Sequence, residues 1–387
     1  MTADFKDVII IGAGPAGCAA GITLARSGLS VSVFDQSIFP RLKTCGDCIT
    51  NRGADLIDEL THSQGYVQSI PHAIVRANAA IFPDGYRISR DFGSAPGYIV
   101  PRYYLDDALR QALEASGAQL KQGIRIKKII RNTQGVFCGV EAKGERWSAK
   151  AVIAADGAGS IAWRTLKSPP IQGHRMALAI TCYYKNIDFG DVAGVCEHYF
   201  EEDLPGGYFW IFPAVNGLSN VGVYQNVADY KKAGIPMRDL LKRYIIRHKE
   251  RFVKAQEVSK PVCWPLPHAV KPFIQCQPGL LLCGDAGCFI DPFTGEGIWQ
   301  ALHSGKLAGI MVTKALQDKA SALDTRWVKL YQDACKRDIG RPSVLRLALR
   351  KMMQVVMRYH LYRLSTVRKT LQWGYGKEFL ELSKTID

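Results

Sequence analysis

Three separated clusters of glycine and acid hold the residues of this chain best suited to chemistry: Gly12-Ala13-Gly14-Pro15-Ala16-Gly17, Asp156-Gly157, and Gly284-Asp285 followed by Pro292 and Gly295-Glu296-Gly297-Ile298. In the first, Gly12 permits a tight turn and Gly14 lets the backbone approach a pyrophosphate. Gly17 lets a helix pack closely on a strand, with the helix N-terminus facing the anion. Asp35, at the end of the next strand, is placed to accept hydrogen bonds from an adenosine ribose. The bland alternative is that these glycines only serve turns, but strand, helix and terminal acid all stand where a dinucleotide needs them. By itself the fingerprint fits NAD as well as FAD, and the later clusters decide between them.

A second group offers proton and redox chemistry. Cys45-Gly46-Asp47-Cys48 is a Cys-x-x-Cys motif, yet it lacks a thioredoxin-like context. No second pair of cysteines or histidines has ligand spacing, so no metal is expected. His174, His198, His268 and His303 stand alone and read as surface or satisfied core residues. Tyr208, Trp210 and Phe212 alternate at period two ahead of Pro213. That pattern fits one face of a half-buried strand and also the wall of an apolar site, and the two readings are compatible. Nothing resembles a nucleophilic triad.

The elements that must position these residues are legible. Val8 to Ile11 is a β-branched run that reads as a buried strand, the glycines open a helix through Arg26, and Ser30 to Asp35 is the second strand of a βαβ unit. Pro101-Arg102 precedes a helix through Ala115 that carries Asp106. Ala151 to Ala155 is a strand delivering Asp156, with Ser160 and Arg164 on the following turn, and Gly279 to Cys283 is a strand delivering Gly284-Asp285. The fold class is therefore α/β, with a Rossmann-like domain assembled discontinuously from 1–75, 100–165 and 270–335. The intervening 76–99 and 166–269, with alternation such as Ala177 to Tyr184, should form a second, sheet-based domain.

Composition bounds the rest. The 387 residues are 47% apolar, enough for one large core or two interlocked ones. The longest apolar run, Val8 to Ala25, is broken by glycines and a proline and holds the fingerprint, so it does not read as a membrane span. The amino-terminal Met-Thr-Ala-Asp-Phe-Lys-Asp is unlike a basic signal leader, and eleven scattered cysteines suit a reducing compartment, so a cytoplasmic location is expected. The net charge is +15, and residues 341–377 carry nine Lys or Arg with no Asp or Glu. Within this basic helical region, 336–387, Leu345, Leu349, Met352, Met353, Val356, Leu364, Val367 and Leu371 recur at helical spacing. Arg346, Arg350, Arg358, Arg363 and Arg368 stand between them, and Pro342 suits a first turn. One reading is a cap packed on the dinucleotide domain with a solvated basic face. The other is a helix lying on an anionic membrane surface, which would make the protein peripheral to the inner face of a membrane. Nucleic acid is a poor partner, because no binding module accompanies the charge.

With these motifs in view, residues 1 to about 335 resemble the geranylgeranyl reductase family, within the para-hydroxybenzoate-hydroxylase-like and glutathione-reductase-like FAD-binding flavoproteins. Four passages carry the resemblance: Phe39-Pro40-Arg41 through Cys45-Gly46-Asp47, Arg102 with Asp106, Gly207 to Pro213 followed by Asn220-Val221-Gly222-Val223, and Gly284 to Ile298. Gly222 is followed by Val223 and Tyr224 where the family has a second glycine.

The resemblance implies an FAD-binding domain, an interleaved substrate sheet lying over the flavin ring, and a helical carboxy-terminal region. It implies that FAD is held by Gly12, Gly14, Pro15, Ala16, Gly17, Asp35, Arg41, Cys45, Gly46, Arg102, Asp156, Gly284, Asp285, Pro292, Gly295, Glu296, Gly297 and Ile298. Asp285 would contact the ribityl chain, and the loop from Pro292 to Gly297 would enter a helix whose positive end favours an anionic reduced flavin. Tyr208, Trp210, Phe212 and Pro213 would line a tunnel for a prenyl-lipid-like substrate.

The implied reaction is hydride transfer from flavin to one alkene carbon while the other receives a proton. Cys45 and Tyr208 are the candidate catalytic residues. With one nucleotide fingerprint, NADPH or another reductant would act as a transient electron donor. The alternative is a flavin-dependent monooxygenase or halogenase: Trp210 and Pro213 match part of the halogenase passage Trp-x-Trp-x-Ile-Pro, while Tyr208, Phe212 and the Cys-Gly-Asp passage follow the reductases. A flavin-bearing binding protein with a structural cofactor is the third reading.

Overall fold

The run Val8-Ile9-Ile10-Ile11 has no polar face to offer solvent, so it is stable only as a central strand covered on both sides. The computed structural model, which describes residues 5–190, 194–271, 273–318 and 323–376, places it there, with exposures of 0 to 4%. Residues 1–4 of the polar amino terminus and 377–387 of the basic carboxy-terminal region lie outside the described residues.

The strand Lys6–Ile11 pairs in parallel with Val31–Phe34 on one side and Glu145–Ala154 on the other, and Gln119–Lys121 and Leu280–Leu282 extend the parallel set. The ten-residue strand Glu145–Ala154 is divided in use. Its first half pairs antiparallel with Phe137–Ala142, which pairs with Lys128–Arg131, while its second half joins the parallel core. The register sets Ile11 beside Phe34 and Ala154, and Ala154 beside Leu282. Gly12, Asp35, Asp156 and Gly284 therefore emerge together from the carboxyl ends of neighbouring parallel strands, where open α/β sheets bind ligands.

A second, eight-stranded sheet runs in the order Gln256–Glu257, Met176–Lys185, Leu218–Asn226, Tyr208–Pro213, Val195–Tyr199, Ala77–Ile81 and Arg87–Asp91, with Val262–Pro267 also paired to Met176–Lys185. Period-two alternation gives each face its own core. Phe209, Ile211, Val221 and Val223 pack with Leu240 and Tyr244 of the helix Met237–Arg247, whereas Trp210, Phe212 and Tyr224 form a separate cluster on the other face. The segment 76–99 is not all part of this sheet. Gly97–Ile99 instead pairs with Cys48–Ile49 and Ala73–Val75 in a three-stranded sheet that holds the Cys45–Cys48 loop.

The carboxy-terminal region departs from a single helix started by Pro342. The helix Thr325–Cys335 passes through a π-helical turn, Lys336–Gly340, into Arg341–Arg358. That turn absorbs the backbone bond that Pro342 cannot donate. A left-handed His360 then breaks the chain before the helix Ser365–Gly376. Among the described residues no helix is long and apolar enough to cross a membrane.

Candidate active site

The strand ends of the first sheet and the inner face of the second enclose a cavity of about 1190 Å³, larger than the roughly 300–1,000 Å³ of an ordinary small-molecule pocket. Of the residues expected at a cofactor, Gly12, Gly14, Pro15, Ala16, Asp35, Arg41, Cys45, Gly46, Arg102, Asp156, Gly284, Asp285, Gly295, Glu296, Gly297 and Ile298 all line it, as do Tyr208, Trp210 and Phe212. Three expected residues do not. Gly17 lies beneath the turn, where a Cβ would stand 1.8 Å from the Gly12 carbonyl oxygen. Pro292 turns its carbonyl away to Arg350 and Tyr224, and Pro213 ends its strand paired to Ser219 outside the wall.

The lining fits FAD on grounds of charge and backbone. The helices Pro15–Arg26 and Ile298–Gln317 both begin at the cavity, and neither has a side-chain cap, so first-turn N–H groups face an anion site. Asp106, with no exposure, is gripped by Arg102 at 2.6 and 2.9 Å and by Arg41 at 3.0 Å. Two guanidinium groups on one carboxylate leave a net positive charge in a buried place, which a pyrophosphate would offset. A Cβ at Gly14 would meet only Arg41, at 3.7 Å, so the backbone there is open to a ligand.

Asp35 accepts from the backbone of Ala13 and Ser37 at 2.8 Å each, so it braces the glycine turn that it borders. Asp156 accepts from Ser160 and Ile161, at 2.6 and 2.8 Å, and thereby starts the next helix. Glu296 accepts from Thr50 at 3.0 Å. Asp285 lies on the cavity wall, and burial raises its carboxyl above the ordinary value.

At the junction of the two sheets, Asn220 is bonded at every polar position. Its amide donates to the Cys45 carbonyl at 2.8 Å and to Asp47 at 2.9 Å, and its oxygen accepts from Trp210 at 2.9 Å and Thr181 at 2.6 Å. Tyr183 also donates to Asp47. One side chain thus ties the Cys45–Asp47 loop to the aromatic strand. Gly222 is required by the same strand, because a Cβ there would meet the Trp210 ring at 2.3 Å.

Cys45 and Tyr208 are both on the cavity wall. Burial pushes the Cys45 thiol up and the Tyr208 phenol well up, and Tyr208 donates to the Thr294 carbonyl. The Cys48 thiol is hydrogen-bonded to Cys196, and Cys45, Cys48 and Cys196 are all free thiols. His198 stands in the wall against Tyr208 and Phe212, where burial lowers it to about 4 and keeps it neutral at pH 7.

Sequence reasoning missed Asp47, Tyr183, Thr181, Lys43 and Trp264. Lys43 lies 3.7 Å from the centre of the Trp264 ring, and burial lowers it to about 8. The one available signal was the acid completing Cys45-Gly46-Asp47. Sequence reasoning also misassigned two arginines. Arg346 pairs with Asp291 at 2.8 Å and Arg350, 2% exposed, donates to the Pro292 carbonyl at 3.0 Å, so neither belongs to an outward basic face. Helical spacing marks a face as polar, but the buried loop after Asp291 needs donors, and these two arginines supply them.

An anion cradle at the strand ends that opens without a break into an aromatic chamber under a second sheet defines an FAD-dependent oxidoreductase. The chain belongs to the FAD binding domain family, which it matches over residues 6–325. It is 30% identical over 359 residues to menaquinone reductase of Mycolicibacterium smegmatis, covering 90% of this chain and 86% of that protein. It is 28% identical over 357 residues to digeranylgeranylglycerophospholipid reductase 2 of Methanococcoides burtonii, covering 87% and 82%. A geranylgeranyl bacteriochlorophyll reductase-like protein of Thermoplasma acidophilum shares the fold at 23% identity, with a TM-score of 0.80 over 92% of this chain and 90% of that one.

Proposed function

We propose that the protein is an FAD-dependent reductase that saturates carbon–carbon double bonds of a prenyl chain of the geranylgeranyl type, or of a similar apolar substrate. The observation that carries this reading is the continuity of one cavity from the Gly12 turn, past Cys45 and Gly46, to a chamber walled by Phe82, Phe200, Trp210, Phe212 and Phe293. Relatives named as reductases of menaquinone and of digeranylgeranylglycerophospholipid support it. FAD, when bound, supplies hydride from its reduced ring. The parts 1–75, 100–165 and 270–335 hold it through the cradle residues, and the sheet from 76–99 and 166–269 presents the chamber. Tyr208, Trp210 and Phe212 hold the chain by rigid apolar contact and exclude water. NADPH or another reductant recharges the protein as a transient partner.

The test is anaerobic. Reduced holoprotein mixed with a geranylgeranyl lipid should regain oxidised-flavin absorbance without oxygen, and the lipid should gain two hydrogens per bond. Reoxidation that waits for air, with oxygen or halogen in the product, would establish a monooxygenase or halogenase instead.

The mouth of the chamber is proposed to sit on the anionic inner face of a membrane. Leu349, Met352, Met353, Leu371 and Trp373 line its far end. The outward side of Arg341–Arg358 carries Val344, Leu345, Met352 and Val355, each 47 to 58% exposed, beside exposed Lys351 and Arg358. Replacing Leu345 and Met352 together by Glu should weaken binding to anionic vesicles at least tenfold, since burying one such side chain contributes about 1.5–3 kcal/mol. Unchanged vesicle binding would leave this face as ordinary surface.

A further inference from the structure

Two buried aspartates lie near Arg102, and their partners differ in kind. Asp106 lies between the guanidinium groups of Arg102 and Arg41. Asp47, 1% exposed, has neutral donors instead: the Tyr183 hydroxyl and the Asn220 amide both donate to its Oδ2, while its buried Oδ1 has no hydrogen-bond partner. Two carboxyls in one site, one compensated by cations and one not, is the arrangement that separates an ionised carboxylate from a protonated acid. With its proton on Oδ1, Asp47 buries no unpaired charge.

We propose that Asp47, which lines the cavity, is the proton donor of the reduction, its proton carried on Oδ1. This rests on the reading of the reaction as double-bond reduction. Asp47 breaks its O–H bond and gives the proton to one alkene carbon, while the hydride and its electron pair from the reduced cofactor join the other. Water then returns a proton to the carboxylate. Of the two acids suggested by sequence, Tyr208 spends its hydrogen on the Thr294 carbonyl, and Cys45 is a half-buried thiol beside the Arg102 guanidinium, which favours a thiolate over a proton donor.

The titratable groups facing Asp47 are Cys45 on its own loop, Tyr183 from the second sheet and Arg102 from the helix behind, whose charge is engaged by Asp106. Burial lifts the Asp47 carboxyl from the ordinary 3.8 to about 7. An acid raised on folding contributes stability that is fully present below its unfolded value and is lost as pH rises through its folded value. Relative to Asp47→Asn, the wild-type chain should therefore lose stability from about pH 4 to pH 7.

The experiment compares wild type, Asp47→Asn, Asp47→Glu and Tyr183→Phe. In cofactor-free and FAD-loaded protein, the infrared band of a protonated carboxyl should be present at pH 6, fade above pH 7 and be missing in Asp47→Asn. Tyr183→Phe loses a hydroxyl that favours the ionised form, so its band should persist to higher pH. Anaerobic reoxidation of the reduced holoprotein by prenyl lipid should slow by roughly 10²–10⁴-fold in Asp47→Asn, with FAD still bound, and recover in part in Asp47→Glu.

The proposal is overturned if wild type lacks the band, if Asp47→Asn reacts within about threefold of wild type, or if it merely loses FAD. Should Asp47→Asn not fold, an unmoved band and unmoved pH–rate profile in Tyr183→Phe overturn it. If wild type and Asp47→Asn are equally inert toward prenyl lipids, the substrate reading falls first and the donor assignment falls with it.

Discussion

Replacing Gly17 by valine is expected to yield a protein that is purified without FAD and unfolds at much lower denaturant. The helix Pro15–Arg26 starts so close to the strand end that even a Cβ at position 17 would stand 1.8 Å from the Gly12 carbonyl oxygen and 2.9 Å from its carbon. Both are backbone atoms of the turn meant to receive the pyrophosphate, so relief requires moving the cradle itself. Flavin absorbance after gel filtration and urea unfolding measure the two losses. Gly28→Ala is the control: its φ of +81° makes alanine costly by about 1–2 kcal/mol, but nothing lies within 4 Å and it is remote from the cradle. Gly28→Ala should keep its FAD. A Gly17→Val protein with normal flavin content would show that the helix start does not need this approach.

Arg350→Glu should have the second-largest effect, and Arg358→Glu almost none. Arg350 is among the largest fully buried side chains, and it holds the carbonyl of Pro292 one residue after Asp291, which is itself 3% exposed. Glutamate there would leave that carbonyl with a weaker partner and set a second buried anion near Asp291, a change in the class that costs about 4 kcal/mol or more. Because the same loop leads to the start of the Ile298–Gln317 helix, FAD affinity should fall as well. Arg358 is exposed, and its substitution should lie within about 0.5 kcal/mol of wild type. Urea midpoints for the two variants decide the matter: equal midpoints would mean that both arginines are surface residues.

These two experiments probe features of unequal legibility. The approach at Gly17 is local, since strand, turn and helix follow one another without interruption from Lys6 to Arg26 and the glycine spacing reports the close contact directly. The role of Arg350 is not local. Its spacing against Leu349, Met353 and Val356 shows an amphipathic helix, but the choice of face depends on the loop of Asp291 and Pro292, distant in sequence. The structure half-buries Arg346, buries Arg350 and exposes Leu345, Met352 and Val355, the opposite of what polarity alone suggests.

The aromatic strand lies between these cases. Period-two alternation at Tyr208, Trp210 and Phe212 foretold one shared face, whereas the hydrogen bond from the Trp210 indole to Asn220 and the fit of its ring over Gly222 depend on the neighbouring strand.

By itself the sequence determined the βαβ unit and the order of the glycine-and-acid clusters, because each is written in short-range periodicity and spacing, and its motif passages carried the resemblance to a flavoprotein family. Tertiary structure alone decided which groups share the site. Asp47 meets Tyr183 across 136 residues of chain and Asn220 across 173. The state of its proton follows from burial without a cation partner, and burial is a property of the packed sheets that no local pattern of residues encodes.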